Sequence, residues 1–266
     1  MFDYDASTPL NVEADDLGVA RRVRRTHYWI DGPEGRVPLV VTAPAAPRNP
    51  CPAILIGHGA TTAKDDLYIQ GPAQRWARAG FVCVAVDAPR HGERGGDDPF
   101  THDHVARGFL ATPEADTFIY DHVVSQRRCL DLIKQLEIVD ANRIGYLGFS
   151  MGTMLGVPLV AVDGRIQCAC FVIGGSFGLG TERDPASWAP LIAPRRVLQL
   201  NTTGDQLFTP ERARVLHDAF NGPKDLQFFP GTHSEFGGKV FKAMIKFFEA
   251  ELAMNLYEAP AKEQQT

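Results

Sequence analysis

The segment Gly148-Phe-Ser-Met-Gly152 places a serine two residues from a glycine on either side. It follows the segment 143–147, which is typical of a buried strand, and precedes the apolar segment 151–162, which favours a helix. A Gly-x-Ser-x-Gly sequence between a strand and a helix predicts a sharp turn that lifts the serine hydroxyl to the end of a sheet. We therefore predict that Ser150 is a nucleophile. The backbone N–H of Met151, at the helix start, is the predicted first donor to an oxyanion.

A serine hydroxyl is a weak nucleophile and needs a neighbouring base to remove its proton. Two histidines follow Ser150 in the chain, His217 and His233. His217 lies in a segment with a helical pattern, 211–220, which favours a solvated or packed helix residue. His233 lies in a loop between the last predicted strand and the last predicted helix, where an imidazole can reach the serine across the sheet. His233 is therefore the predicted base.

The carboxylate that orients this base should follow the strand-like segment 196–200. Asp205 ends the loop 201–205, ahead of a predicted helix, and such a carboxylate would hold the imidazole tautomer and stabilise its protonated form. We therefore predict Asp205 as the acid. Four weaker alternatives are Glu211, Asp218, Asp225 and Glu235.

A second N–H donor to the oxyanion is expected in the loop after the apolar segment 53–56, which begins Gly57-His-Gly-Ala60. Small residues at these positions let the backbone approach a substrate. We predict the donor at Ala60, with Thr61 as the near alternative. His58 is interpreted as a histidine that supports this loop rather than as a proton carrier.

The segment Asp87-Ala-Pro-Arg-His-Gly92 follows the next predicted strand and combines an acid, a guanidinium and an imidazole. We interpret it as a hydrogen-bonded turn at the mouth of the site rather than as catalytic groups. Six residues are predicted to bind the substrate or to shape the site: His58, Gly59, Thr61, Arg90, His91 and Phe149.

Strand-like and helical segments alternate along most of the chain, which predicts a mostly parallel sheet with helices on both faces. About eight strands are expected in one α/β domain over residues 1–266. The first two, 25–30 and 36–42, flank a segment that contains Gly and Pro, 31–35, and predict a hairpin.

Three segments depart from the alternation of strands and helices. The segments 92–112 and 174–194 are long insertions, and we expect lid-like roles or substrate-pocket walls for them. The polar tail 257–266 is expected to be disordered.

Composition excludes several other classes of protein. The net charge is −5, and the densest basic cluster, 21–25, is interpreted as a solvated edge, so no nucleic-acid partner is expected. The longest apolar run, 154–162, is about half a membrane span, and the acidic first thirty residues lack the apolar core of a secretion signal. We expect a cytoplasmic protein that does not bind membranes, either a monomer or a homodimer.

The five cysteines have no convincing spacing for metal ligands, and buried free thiols in a reducing compartment are expected. Cys168-Ala-Cys170 has no matching ligand pair, and His102-Asp-His104 has no further ligands near it. No metal and no other cofactor is predicted.

The chain resembles the α/β-hydrolase superfamily over about residues 25–254. The resemblance is carried by three segments, 58–64, 87–92 and 148–152. Within this superfamily they are most similar to the dienelactone-hydrolase-like branch, especially its small bacterial carboxylesterases and acetyl esterases. Dienelactone hydrolases have a cysteine nucleophile, whereas this chain has Ser150, which favours ordinary esters over dienelactones.

The resemblance implies the same triad that the residues predict, Ser150, Asp205 and His233, and the same oxyanion donors, Ala60 and Met151. We predict a hydrolase that cleaves small esters with short acyl chains through an acyl-enzyme. The alternatives are lactones, amides or peptides, or C–C bonds as substrates of the same triad, and a non-catalytic binding protein.

Overall fold

The computed structural model of the chain describes residues 2–100 and 108–252. Within those ranges nine strands form one sheet: β1 (Glu13–Ala20), β2 (Val23–Gly32), β3 (Gly35–Pro44), β4 (Cys51–Gly57), β5 (Val82–Val86), β6 (Val139–Phe149), β7 (Ile166–Val172), β8 (Arg196–Thr202) and β9 (Lys224–Phe229). The longer helices are α1 (Leu67–Arg78), α2 (Glu114–Gln135), α3 (Met151–Val162), α4 (Pro210–Ala219) and α5 (Gly238–Glu251). None of the helices in these ranges is long and apolar enough to cross a membrane.

The strand order in the sheet is β1-β2-β3-β5-β4-β6-β7-β8-β9. From β5 onward every neighbouring pair is parallel, whereas β1, β2 and β3 join by antiparallel pairs. The predicted fold class is confirmed, and so is the hairpin, now seen as β2 and β3. Because parallel strands end at the same edge, the loops after β4, β6, β8 and β9 meet there.

The prediction of eight strands is corrected to nine, since β1 was not predicted. Every residue of β1 is exposed, and the strand pairs only with β2 at the sheet edge. Without a buried face, β1 has no alternation of apolar and polar residues to indicate a strand. The basic cluster lies along this edge, where Arg24 pairs with Asp16 of β1.

The central strands have no polar face because helices cover both sides of the sheet. On β4, Leu55 belongs to the core shared with α2, α3 and α4, whereas Ile54 and Ile56 belong to the core shared with α1 and α5. All three side chains are essentially inaccessible to solvent. Successive side chains of a strand point to opposite faces of the sheet, and here each face packs against a core of its own. The strand is therefore apolar along its whole length.

The two predicted insertions pack against the sheet's helices in the parts that the structure describes. Segment 174–194 contains the short 3-10 helices Pro185–Ser187 and Ala189–Ile192, and its Arg183 pairs with Asp116 of α2. Segment 92–112 is described except for 101–107, which contains both histidines of the 102–104 pair. The tail 257–266 also lies outside the described residues. Lid-like roles for the two insertions remain a prediction.

Tyr146 determines how closely α3 approaches β4. Its ring is fully buried, and its hydroxyl donates to the carbonyl oxygen of Gly152 at 2.7 Å. A Cβ atom at Gly57 or at Gly156 would overlap this ring, so both positions require glycine. The start of α3, which follows Ser150, is thereby held against the end of β4.

We expect Tyr146→Phe to lower the free energy of unfolding by about 1 kcal/mol, because the variant loses one buried hydrogen bond and keeps the ring. Urea denaturation of both proteins measures the change. Tyr120→Phe is the matched control, since its hydroxyl donates to the carbonyl of Asp3 at the surface and should contribute little. Equal losses in the two variants would contradict the structural role of the Tyr146 hydroxyl.

Candidate active site

Ser150 lies in a strained turn between the end of β6 and the start of α3. Its φ is +50° and its ψ is −108°, a conformation that residues other than glycine rarely adopt. A Cβ atom at Gly148 would overlap the carbonyl of Gly152, and one at Gly152 would overlap the carbonyl of Gly57. The two glycines of the motif are therefore required by backbone packing, and the turn directs the serine away from the sheet.

A continuous chain of hydrogen bonds joins the three predicted catalytic side chains. The Ser150 Oγ lies 2.9 Å from the His233 Nε2, and the His233 Nδ1 lies 2.8 Å from the Asp205 Oδ2. The other oxygen of Asp205 accepts from the backbone N–H groups of Leu207 and Phe208, at 2.8 and 2.9 Å. Because a carboxylate only accepts, the His233 Nδ1 carries the proton and its Nε2 is free to accept from the serine.

Asp205 and His233 differ in how far their side chains are buried. The side chain of Asp205 is 0% exposed, whereas that of His233 is 27% exposed. A buried carboxylate stabilises a positive charge on the imidazole more strongly than an exposed one, since water screens it less. Among the residues that the structure describes, none of the four alternative acids pairs with His233. Asp225, for example, pairs with Arg196. His217, the other histidine that follows Ser150 in the sequence, lies on α4.

The loops that carry Asp205 and His233 are bonded directly to each other. The backbone N–H of Gly204 donates to the carbonyl of Gly231 at 2.9 Å, and the Thr202 hydroxyl donates to the carbonyl of Thr232 at 3.0 Å. Gly231 has a φ of +145°, and a Cβ atom there would overlap the carbonyl of Glu235. The separation between Asp205 and His233 is therefore set by a backbone hydrogen bond and by a short, buried threonine side chain.

The two predicted oxyanion donors both lie beside Ser150. The N–H groups of Ala60 and Met151 have no acceptor within residues 2–100 and 108–252, so both are available to a ligand. The alternative donor, Thr61, is already engaged, because its N–H donates to the Asp98 Oδ2 at 2.7 Å. Because only the Ala60 N–H is unpaired, Ala60 is favoured over Thr61 as the oxyanion donor. Nothing in the sequence indicates the bond between Thr61 and Asp98.

The peptide group of Gly59, next to Ala60, is held from several sides. Its carbonyl accepts from the His58 Nδ1 and the Thr62 Oγ1, both at 2.7 Å, and its N–H donates to the Tyr68 hydroxyl at 2.8 Å. The His58 Nε2 accepts from the Ala88 N–H at 3.0 Å, and burial lowers the pKa of His58 to about 4. His58 is therefore neutral and supports the loop, as interpreted from the sequence.

The structure places the predicted residues Arg90 and His91 outside the cavity above Ser150. Arg90 pairs with Glu114 of α2. His91 is buried, with its Nε2 3.1 Å from the Asp98 carboxylate that accepts from Thr61. Neither residue lines this cavity. His91 contacts the loop after β4 in two ways, through Asp98 and through the ring of His58, whose centroid lies 5.2 Å from its own.

A buried ion pair that the sequence did not reveal joins the loops after β4 and β5. The Lys64 Nζ lies 3.0 Å from the Asp87 Oδ2 and also contacts Glu93. Asp87 accepts in addition from the backbone N–H groups of Lys64 and Glu93, at 2.8 and 3.0 Å. Burial alone would lower the pKa of Lys64, but these carboxylates raise it to about 12. Lysine is rarely buried, so its position in the sequence carried no signal for this role.

Two cavities open from Ser150. The larger, of about 340 Å³, is lined by Gly59, Ala60, Thr61, Thr62, Tyr68, Phe100, Phe149, Ser150, Ile173, Leu207, His233, Ser234 and Phe236. The smaller, of about 20 Å³, is lined by Ala60, Phe100, Ser150, Met151, Met154, Phe177, Leu207 and Phe208. Six of the predicted residues therefore line the larger cavity, and Phe149 is the one ring of its aromatic wall among them. Of the rings in that wall, Phe149 ends β6, Phe236 lies in the loop after β9 and Tyr68 lies in α1, so the place at or after the end of a strand was a signal for Phe149 and Phe236 only.

The strand order and the serine turn define a hydrolase of the α/β-hydrolase superfamily, and the predicted superfamily is confirmed. Residues 22–173 match the family model described as acetyl xylan esterase (AXE1). The chain belongs to this esterase family and is a carboxylic-ester hydrolase. No curated protein sequence matches it significantly.

Solved structures of esterases share this fold. A cold-adapted esterase from an Arctic intertidal metagenomic library is 25% identical, with a TM-score of 0.74, and the match covers 89% of this chain and 97% of that chain. The acetyl xylan esterase from Paenibacillus sp. R4 is 19% identical, with a TM-score of 0.75 and coverage of 91% and 89%. Acetyl xylan esterase 1 from Thermoanaerobacterium sp. JW/SL YS485 is also 19% identical, with a TM-score of 0.72 and coverage of 92% and 88%.

We expect the buried imidazole of His58 to make folding stability depend on pH. Its pKa is about 6.5 in an unfolded chain and is lowered to about 4 by burial. The unfolded state therefore binds a proton that the folded state lacks, and His58 favours unfolding increasingly as the pH falls through this range. When the pH is lowered from 7 to 4.5, the free energy of unfolding should therefore fall less in His58→Gln than in the native chain. The difference between the two falls should be about 2 kcal/mol.

Urea denaturation at the two pH values measures this difference. His217→Gln serves as the control, because His217 is only partly buried and burial lowers its pKa less. If the pH dependence of His58→Gln runs parallel to that of the native chain, the neutral, buried state of His58 is refuted.

Proposed function

We propose that Ser150, His233 and Asp205 form a catalytic triad that hydrolyses esters through a covalent acyl-enzyme. The observation that carries this proposal is the chain of hydrogen bonds from the Ser150 Oγ to the Asp205 carboxylate, at 2.9 and 2.8 Å. Both distances lie within the range that proton transfer between a nucleophile and its base requires. The strained turn at Ser150 supports the same role, because strain of this kind is retained at sites of function.

In the first half of the reaction, the His233 Nε2 accepts the proton of the Ser150 hydroxyl while Oγ forms a bond to the carbonyl carbon of the ester. The carbonyl oxygen becomes an oxyanion, which accepts from the N–H groups of Ala60 and Met151. The tetrahedral intermediate then collapses. The bond to the alcohol oxygen breaks, and His233 donates its proton to that oxygen, which releases the alcohol and leaves the acyl group on Ser150.

In the second half, water replaces the alcohol. His233 accepts a proton from the water, whose oxygen attacks the acyl carbon and forms a second oxyanion at the same two donors. Collapse returns the proton to the Ser150 Oγ and releases the carboxylic acid. Asp205 stabilises the imidazolium that forms in each half and remains ionised throughout.

The small cavity supports a short acyl chain. Its volume of about 20 Å³ is close to the space that one water-sized group occupies. It is bounded by both proposed oxyanion donors, Ala60 and Met151, so a carbonyl held by them points its acyl substituent into this space. Met154, Phe177 and Phe208 close the far side, and an acetyl group fits there far better than a long chain.

Ser150→Ala should reduce kcat for p-nitrophenyl acetate by about a thousandfold or more, because the acyl-enzyme cannot form. The fold should persist, since alanine fits the space of the serine. Far-ultraviolet circular dichroism checks the fold, and a fluorophosphonate probe checks covalent reaction at the serine.

Ser187→Ala is the matched control, because Ser187 is exposed and lies outside both cavities. It should keep native activity and native labelling by the probe. Native turnover by a folded Ser150→Ala protein would exclude the proposed triad.

Met154→Val should widen the small cavity and shift the preference for acyl chain length. For the native chain we expect kcat/KM to fall steeply from p-nitrophenyl acetate to hexanoate. In the variant the hexanoate-to-acetate ratio should rise about tenfold, the discrimination that about one misfitting methylene can produce. Met244→Val is the control, because Met244 is equally buried but belongs to the core beneath α5. An unchanged ratio in Met154→Val would remove the small cavity from the acyl site.

A further inference from the structure

The larger cavity has an aromatic wall on the side where the alcohol part of the ester must lie. His233 protonates the leaving oxygen in the proposed reaction, so the alcohol occupies the space next to that imidazole. His233, Ser234 and Phe236 line the larger cavity, and none of them lines the smaller one. The acyl and alcohol parts of the substrate are thereby assigned to different spaces.

The wall consists of rings that pack on one another. Phe149 makes an edge contact with Tyr68 at a centroid distance of 5.2 Å and is stacked on Phe236 at 6.0 Å. Phe241 supports Phe236 from behind, at 5.7 Å. These distances lie within the range of favourable aromatic pairs, and a further ring placed against Phe149 and Phe236 would extend the same arrangement.

Three of the residues that line the cavity, Gly59, Thr62 and Tyr68, are hydrogen-bonded to one another, whereas the hydroxyls of Thr61 and Ser234 have no partner among the described residues. The Tyr68 hydroxyl accepts from Gly59 and bonds to the Thr62 Oγ1 at 2.8 Å, and Thr62 in turn donates to Gly59. Of the described residues that line the cavity, none is an Asp, Glu, Lys or Arg. An alcohol with many hydroxyl groups would replace only a few of its hydrogen bonds to water here, which opposes binding.

We infer that the alcohol moiety of the preferred substrate is an uncharged aromatic group, such as a benzyl-type alcohol, rather than a sugar. The inference rests on the proposed triad and acyl site, and it adds the substrate class. The cavity volume of about 340 Å³ is at the lower end of the range of small-molecule pockets, which suits a one-ring alcohol. Phe236 is the specificity-determining residue, because it alone of the three rings lies on the loop of His233.

The test compares acetate esters of three simple alcohols of similar acidity with that of a sugar, whose hydroxyl is more acidic and leaves more easily, so that intrinsic reactivity does not favour the expected order. The substrates are benzyl acetate, cyclohexylmethyl acetate, propyl acetate and a monoacetylated methyl xyloside. We expect kcat/KM for benzyl acetate to exceed that for propyl acetate by about tenfold or more, with cyclohexylmethyl acetate between them and the xyloside lowest.

Phe236→Ala should lower the ratio of kcat/KM for benzyl acetate to that for propyl acetate by about fivefold to tenfold. Phe236→Tyr keeps the ring and should restore the native ratio. Because a ratio is measured, any displacement of the nearby His233 affects both substrates and cancels. Phe228→Ala is the matched control, since Phe228 is a partly buried ring on β9 that lies outside the cavity and packs against Arg214. The ratio should stay native in this variant.

A native ratio in Phe236→Ala, or a higher kcat/KM for the acetylated xyloside than for benzyl acetate, overturns the inference. Ser150→Ala separates this outcome from failure of the proposed function. If ester hydrolysis requires Ser150 but shows no aromatic preference, only the alcohol site is wrong. If hydrolysis continues without Ser150, the triad itself is wrong.

Discussion

The left-handed backbone of Ser150 is the constraint on which the other parts of the site depend. Such a conformation costs a residue other than glycine about 1–3 kcal/mol and persists only where the surroundings enforce it. Here the start of α3 packs against the end of β4 so closely that Gly57 and Gly152 have no room for a Cβ atom. The Ser150 N–H donates to the carbonyl of Val172 on β7, which fixes the turn from the other side. The hydroxyl is thereby placed before any catalytic contact forms.

Around this turn, the site is assembled from loops that the parallel sheet brings to one edge. Asp205 follows β8, His233 follows β9 and Ala60 follows β4. Each loop is then held by bonds that do not involve the reacting atoms. The loops of Asp205 and His233 are joined to each other through Gly204 and Gly231. The loop after β4, which contains Ala60, is joined to the loop after β5 through the hydrogen bond between His58 and Ala88. In the proposed reaction, these contacts would keep the oxyanion donors and the base in place without reorganisation, which is the basis of electrostatic preorganisation.

In the proposed reaction, the two cavities that open from the serine hold the acyl part and the alcohol part of the ester. The small one is closed by residues of α3 and of segment 174–194, which pack tightly on the sheet. The large one is bounded by the rings of Tyr68 in α1, Phe149 at the end of β6 and Phe236 in the loop after β9. The two cavities share Ala60, Phe100, Ser150 and Leu207, and each has further residues of its own. Substitutions at those further residues should change the proposed acyl and alcohol preferences separately.

By itself the sequence determined the mostly parallel sheet, the nucleophile turn and the order of serine, acid and histidine, because periodicity and glycine spacing are local properties. Only the tertiary structure decided that Ala60 rather than Thr61 keeps a free N–H, that Lys64 is buried against Asp87, and that Phe236 lines the cavity that opens from the serine. The exposed strand β1 was missed for the same reason, since its pairing with β2 has no local pattern. Contacts between residues distant in the chain depend on how the loops pack, and one sequence read position by position contains no measure of that packing.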